Sequence, residues 1–213
     1  MAIDTSGLRE SKKRETRQLI SDHATRLFLD QGFEQTTIAE IAAAARVAKK
    51  TVTNYFQRKE DLALDHQEEF VAGLAEVVAG RAAGESALTA LRTAFLAAVE
   101  EHDPVAGFSG PDFSRMIAES PTLTARLRDL HDRREHALAE TLAAATGTPA
   151  ADDITPRAVA AQLGAAHRLL FERIQELTLA DHDNEHIAAV ITHEATQVFA
   201  LLEPALGDYA VAP

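Results

Sequence analysis

Between Thr37 and Lys59 the chain reads TIAEIAAAARVAKKTVTNYFQRK. Lysine can donate to guanine O6 and N7, asparagine pairs with adenine, and threonine offers a hydroxyl and a methyl group. Lys49, Lys50, Thr53 and Asn54 bring all three types together on one short segment. Thr51, Tyr55 and Lys59 fall where contacts to phosphate would fix such a segment in a groove. Thr37 would bring a helix N-terminus toward the backbone, with its unpaired N–H groups and positive dipole end. Lys12, Lys13 and Arg14 form a basic arm ahead of the first helix, able to reach a phosphate or lie in the minor groove.

These side chains need helices to present them. Residues 12–31 read as a first helix with Leu19, Ile20, Ala24, Leu27 and Phe28 on one face. Gly32 supplies a left-handed stop, and Phe33 folds back over the last turn. Thr37 and Glu40 form a T-x-x-E capping box that opens a second helix, with Ile38, Ile41, Ala42 and Ala45 facing inward. A tight turn leads to a third helix, from about Ala48 to Tyr55, whose buried face is Val47, Val52 and Phe56. Two short helices joined in this way lay the second in the major groove of duplex DNA. The competing reading is a merely solvated, charged face, and it has to explain the helix-turn-helix and the basic arm together.

Charge divides along the chain. The formal net charge is −12, from 21 Lys+Arg and 33 Asp+Glu; 11 and 8 of these lie in residues 1–60, leaving 10 and 25 beyond. Every lysine lies at or before Lys59. One end is thus suited to phosphate while the other repels it. Cysteine is absent, which excludes disulfides, thiolate metal sites and cysteine nucleophiles. No apolar run reads as a secretion signal or a bilayer span, so a cytoplasmic protein with no membrane partner is expected.

Sparse proline and glycine, abundant alanine and no sustained period-two alternation predict an all-α fold of about nine helices. A helix-turn-helix domain over 1–58 and a helical effector-binding and dimerisation domain over 59–213 are expected. In the second part, helices are expected near 59–83, 86–101, 112–119, 122–145, 155–179 and 184–202. Gly84, Asp103-Pro104, Gly147, Pro149 and Pro204 serve as punctuation, and Thr155-Pro156 is a start signal.

The residues Ala24, Leu27, Phe28, Gly32, Phe33, Thr36, Thr37, Ile38, Ile41, Ala42, Val47, Thr51, Tyr55, Phe56, Lys59, Glu60 and Leu62 resemble the pattern of the TetR family over positions 12–62. The resemblance implies a homodimeric regulator, usually a repressor, binding a palindromic double-stranded operator through two recognition helices. It also implies a ligand pocket in the C-terminal domain and release of the operator by a small-molecule effector. Three positions depart from the family. Arg46 stands where glycine is common, at a cost of roughly 1 kcal/mol if the backbone is left-handed, offset in part by a phosphate contact. Ala48 replaces a serine cap, and Thr53 a frequent tyrosine.

For the dimer, the apolar sides of the last two helices stand out: Val159, Leu163, Leu170, Ile174, Ile187, Val190, Ile191, Val198 and Leu201. The competing reading is that they close the monomer's own core. For the pocket, Phe70, Leu74, Phe95, Phe108, Phe113, Met116, Ile117, Leu127, His167 and Phe171 are candidates, with Val105–Pro111 as a wall. That lining suits an apolar or aromatic molecule. His182, His186 and His193 are read as exposed histidines rather than metal ligands, and no cofactor is expected. Two other functions stay open: a dimeric sensor or scaffold that has lost DNA binding, and a helical enzyme, which no nucleophile–base set supports.

Overall fold

The computed structural model describes residues 5–147 and 153–213, with side chains from Ser11 onward. Every regular element among them is helical: α1 (Thr5–Gln31), α2 (Ile38–Ala44), α3 (Lys49–Tyr55), α4 (Glu60–Ala63), α5 (Gln67–Ala79), α6 (Ala87–Glu100), α7 (Pro111–Glu119), α8 (Pro121–Thr146), α9 (Thr155–Leu179) and α10 (Asn184–Leu206). A 3-10 turn at Pro104–Ala106 follows α6. The chain divides into two compact units, residues 1–67 with 116–124, and residues 68–115 with 125–213.

In the first unit, Ile20, Ala24 and Phe28 of α1 are buried together with Ile41, Ala42, Val52, Phe56 and Leu62. Leu19, expected on that face, is exposed instead. Gly32 takes a φ of 89°, and the Phe33 ring lies 5.0 Å from that of Phe28, closing α1 as the sequence suggests. The Thr37–Glu40 capping box forms as expected. Helix α1 starts at Thr5, well before Lys12, so α1 is longer than its apolar pattern indicates.

The single helix expected over 59–83 is two. Leu64 leaves the helical region at φ −110° and ψ 55°. The Ser21 hydroxyl donates to Asp65 at 2.6 Å and to the Leu62 carbonyl at 3.3 Å. A tertiary bond to α1 therefore ends α4 where side-chain periodicity would carry it on.

The second unit is built on a core running from Leu74 and Val78 of α5, through Leu88, Leu91 and Phe95 of α6, to Leu163 and Ile174 of α9 and Ile191 and Phe199 of α10. Helix α10 packs against both α6 and α9. Ser86 caps α6 by accepting from the Thr89 N–H, and Pro156 sits in the first turn of α9. Pro204, expected to end the last helix, lies inside α10, which continues to bury Leu206. Past α10 the Ala212 N–H donates to the Glu85 carbonyl and the Gly84 N–H to the Ala212 carbonyl, both at 3.0 Å. Of the expected loop at Gly147 and Pro149, Gly147 has a φ of 66°, and Pro149 lies outside the described residues.

Candidate nucleic-acid interface and ligand cavity

The turn between α2 and α3 is set by backbone bonds. The Arg46 N–H donates to the Ala43 carbonyl at 3.2 Å and the Val47 N–H to the Ala42 carbonyl at 2.9 Å. This is a Schellman closure, which demands a left-handed residue at its second-last position. Arg46 fills that place at φ 55°, so the conformation glycine would favour is held by an arginine. Ala48, at the N-cap of α3, makes no side-chain cap bond. The helix starts without that support and is held at its other end instead. Arg17 of α1 donates to the Tyr55 carbonyl at 3.0 Å, and its guanidinium lies 4.3 Å from the Phe56 ring centroid. Arg17 positions the recognition helix and was not singled out from sequence; its only signal was a cation three residues before buried Ile20.

Helix α3 buries Val52 and exposes Lys49, Lys50, Thr53 and Asn54, while Thr51 and Tyr55 are half-buried at its flanks. The Thr53 hydroxyl donates to the Lys50 carbonyl at 3.1 Å. Arg46 is exposed at the head of the helix. These residues form one polar surface of the first unit.

Five of the residues expected at the DNA are placed differently from that expectation. Lys59 does not point to solvent. Its ammonium donates to the carbonyls of Phe33, Thr36 and Glu34 at 2.8, 3.2 and 3.4 Å and sits 4.3 Å over the Phe33 ring. It closes the α1–α2 loop. Thr37 is exposed, but its hydroxyl and N–H both donate to the Glu40 carboxylate at 2.8 Å. Those bonds hold the Glu40 carboxyl below its ordinary pKa and place a negative charge where a phosphate was expected. Lys12, Lys13 and Arg14 are exposed, yet they lie within α1 rather than on an arm ahead of it.

The second unit holds a cavity of about 260 Å³ among α5, α6, α8, α9 and the 3-10 turn. Of the expected lining, Leu74, Phe95, His167 and Phe171 reach it. Phe70 lies beside it, under the Arg134 guanidinium at 4.4 Å. Phe108 is buried against His102 instead, and Phe113 and Leu127 do not line the space. Met116 and Ile117 belong to the first unit. Val105 and Ala106 form part of the wall, as expected of that segment. The segment is tied down: Asp103 accepts from the Val105 N–H at 2.8 Å, and Gln175 donates to the Gly107 carbonyl. Arg134 is a wall residue that the sequence did not suggest.

His167 is 5% exposed, with its ring edge-on to Phe95 and Phe199. Burial, reinforced by the nearby Arg134 charge, lowers its pKa to about 3, so the ring is neutral. His131 packs edge-on to Phe70 and Phe171, and burial with Arg134 and Arg168 lowers it to about 4.

Among the described residues no group of three His, Asp or Glu is placed to hold a metal ion. His182 stacks on His186 at 4.4 Å on the surface, and His193 faces Gln197 at 3.0 Å. No described helix is long and apolar enough to cross a membrane.

The expected dimer face is corrected as well. Val159, Leu163, Leu170, Ile174, Ile187 and Ile191 are buried in the chain's own core. Val190 and Val198 are half-buried, and Leu201 is 80% exposed. Leu169, on the outer side of α9, is 55% exposed.

Residues 20–65 match the family described as bacterial regulatory proteins, tetR family, and residues 85–206 match the MftR C-terminal domain. The HTH-type transcriptional regulator TcmR of Streptomyces glaucescens is 35% identical over 173 residues, 77% of this chain and 75% of that protein. This chain belongs to the TetR family. As a TetR-family member it is a DNA-binding transcriptional regulator with a helical ligand-binding domain, and not an enzyme. Its fold is shared with NalD, the secondary repressor of the MexAB-OprM multidrug efflux pump in Pseudomonas aeruginosa, at a TM-score of 0.54 and 18% identity over 88% of this chain and 97% of that one. Salmonella enterica GusR gives 0.56 and 19% over 91% and 96%. SmeT in its triclosan complex gives 0.55 and 18% over 93% and 95%.

Proposed function

We propose that this TetR-family regulator is a homodimeric repressor that acts in the cytoplasm, binds a palindromic operator and releases it when a small molecule occupies the cavity. The observation that carries this reading is the outer face of α3. Lys49, Lys50, Thr53 and Asn54 are all exposed on it, and no described residue pairs with either lysine ammonium or with the Asn54 amide. Three potential base-reading chemistries stand side by side on a helix braced by Arg17. Arg46 is placed to add a phosphate contact from the turn.

One such helix reads only a half-site, so a second copy is needed to span two successive major grooves. The exposed side of α9 and α10, with Ala165, Leu169, Ala200 and Leu201, supports that association. Small residues beside two exposed leucines allow close helix approach across a two-fold axis.

The test starts from selection of duplex fragments bound by the full-length protein, followed by fluorescence anisotropy. Binding of the selected palindrome at least a hundredfold tighter than a scrambled duplex is expected. Lys49→Ala and Lys50→Ala should each weaken binding of the selected palindrome by about 1–3 kcal/mol and relax the preference at the base pair each one reads. Equal affinity for selected and scrambled DNA would overturn the reading.

A further inference from the structure

The cavity wall of the second unit holds a cation that the fold itself does not neutralise. Arg134 projects from α8, with its guanidinium stacked over the Phe70 ring at 4.4 Å. Its Nε is sealed from solvent and has no hydrogen-bond partner, although the residue as a whole is partly exposed. No described residue accepts a hydrogen bond from any of its nitrogens, and no carboxylate of a described residue lies within ion-pair distance. Asp103 is the negative charge that bears on it, and that carboxylate already accepts from the Val105 N–H. On the same cavity, the Nε2 of His167 is likewise buried without a partner. Buried polar atoms and charges are ordinarily satisfied, so two residues that carry unsatisfied ones and line one space mark a place to look for a polar occupant.

The rest of the lining fixes the shape of the occupant. Leu91, Ala94, Phe95, Ala98 and Phe171 are apolar, and a cavity of 150 Å³ takes one benzene ring. A space of about 260 Å³ therefore suits a body of one or two rings, or a short aliphatic chain. Glu69 and Glu76, both exposed, stand at the rim. They disfavour a multiply charged anion, which would have to carry its extra charges past them.

We propose that the effector is an organic monoanion, a carboxylate or ionised phenol on a compact apolar body, whose charged oxygens accept from the Arg134 guanidinium with His167 on the same wall. The guanidinium offers its planar fork to two oxygens at once, a match that a neutral amide or an amine lacks. This deepens, and rests on, the reading of the chain as a ligand-released repressor. It also adds one charged group to the apolar or aromatic molecule expected from sequence, because Arg134 lies on the wall of the space.

The test uses the full-length protein at pH 7.5 and calorimetric titration with three matched series: benzoate, 2-naphthoate and octanoate, their primary amides, and the corresponding amines. At least one acid should bind ten times or more tightly than its amide and amine. Arg134→Met should bring that acid down to the level of its amide. Asp103→Asn keeps an oxygen for the Val105 N–H and removes the competing charge, so it should strengthen the acid several-fold and leave the amide unchanged. That second variant decides the matter if Arg134→Met fails to fold, as judged by circular dichroism. No acid preference in any series, including no binding at all, overturns the proposal, as does a loss of acid affinity in Asp103→Asn. Anisotropy on the selected operator in parallel separates the two claims. Operator recognition without acid preference sinks only the anion, whereas no operator recognition sinks the repressor reading whatever the titrations show.

Discussion

Acid should destabilise the second unit well above the range in which carboxylates titrate, and the cause is two sealed imidazoles. Burial lowers His167 from 6.5 to about 3 and His131 from 6.5 to about 4. In the unfolded chain both titrate normally, so below pH 6.5 the unfolded state binds protons that the native state refuses. The full contribution to stability is present above 6.5 and is lost as pH falls toward the native values. At pH 5 each histidine has lost about 1.5 pH units' worth of linkage, or about 2 kcal/mol at 1.36 kcal/mol per unit. Together they remove about 4 kcal/mol, a large part of the 5–15 kcal/mol that holds a typical domain. Urea unfolding at fixed protomer concentration, at intervals from pH 7.5 to 5, measures the effect. His167→Gln and His131→Gln keep a polar side chain but carry no proton equilibrium, so each should flatten the curve by about 2 kcal/mol over that window. Curves for variant and parent that run parallel from pH 7.5 to 5 would refute the reasoning. Glu34 and Glu40, whose pKa values are lowered by hydroxyl donation from Ser120 and Thr37, respond only below that window.

Arg46→Gly should raise stability by up to about 1 kcal/mol, since glycine takes the left-handed turn without strain. The same variant should bind the operator more weakly, so that melting temperature and anisotropy move in opposite senses. Lys59→Met should cost about 1–3 kcal/mol in urea unfolding by stranding three loop carbonyls. It should leave the base preference of operator binding unchanged, unlike Lys49→Ala. Leu169→Glu combined with Leu201→Glu should shift the particle from two copies toward one in light scattering, with cooperative melting retained because both side chains are exposed.

Local backbone chemistry was the part of this fold most legible in the sequence. The Thr37–Glu40 box, the Ser86 cap, Pro156 at the head of α9 and the left-handed Gly32 all follow from rules acting within one helical turn. The strained Arg46 was legible as well, because the family pattern marks a glycine there. What failed depended on partners distant in sequence. An i, i+3, i+4 apolar pattern looks the same whether it meets its own chain or another, so the pattern alone puts Leu163, Ile174 and Ile187 on a dimer face although they form core. Lysine carries three donors on a long stem, and nothing in its spacing shows that Lys59 turns back to Phe33 and Thr36. Helix α4 ends early because Asp65 receives a hydroxyl from Ser21. Arg134 sits in the charged stretch HDRREH, where one arginine that lines a cavity reads no differently from its exposed neighbour Arg133.

The inward turn of Lys59 gives the protein a built-in standard for chemical footprinting. Reagents that acylate free amines should modify Lys49 and Lys50 quickly and Lys59 slowly in naked protein, because its ammonium is tied to three carbonyls. Bound duplex should then shield the first two and leave the slow rate of the third untouched. The ratio of rates within one peptide digest would report occupancy of the recognition helix without any label on the nucleic acid.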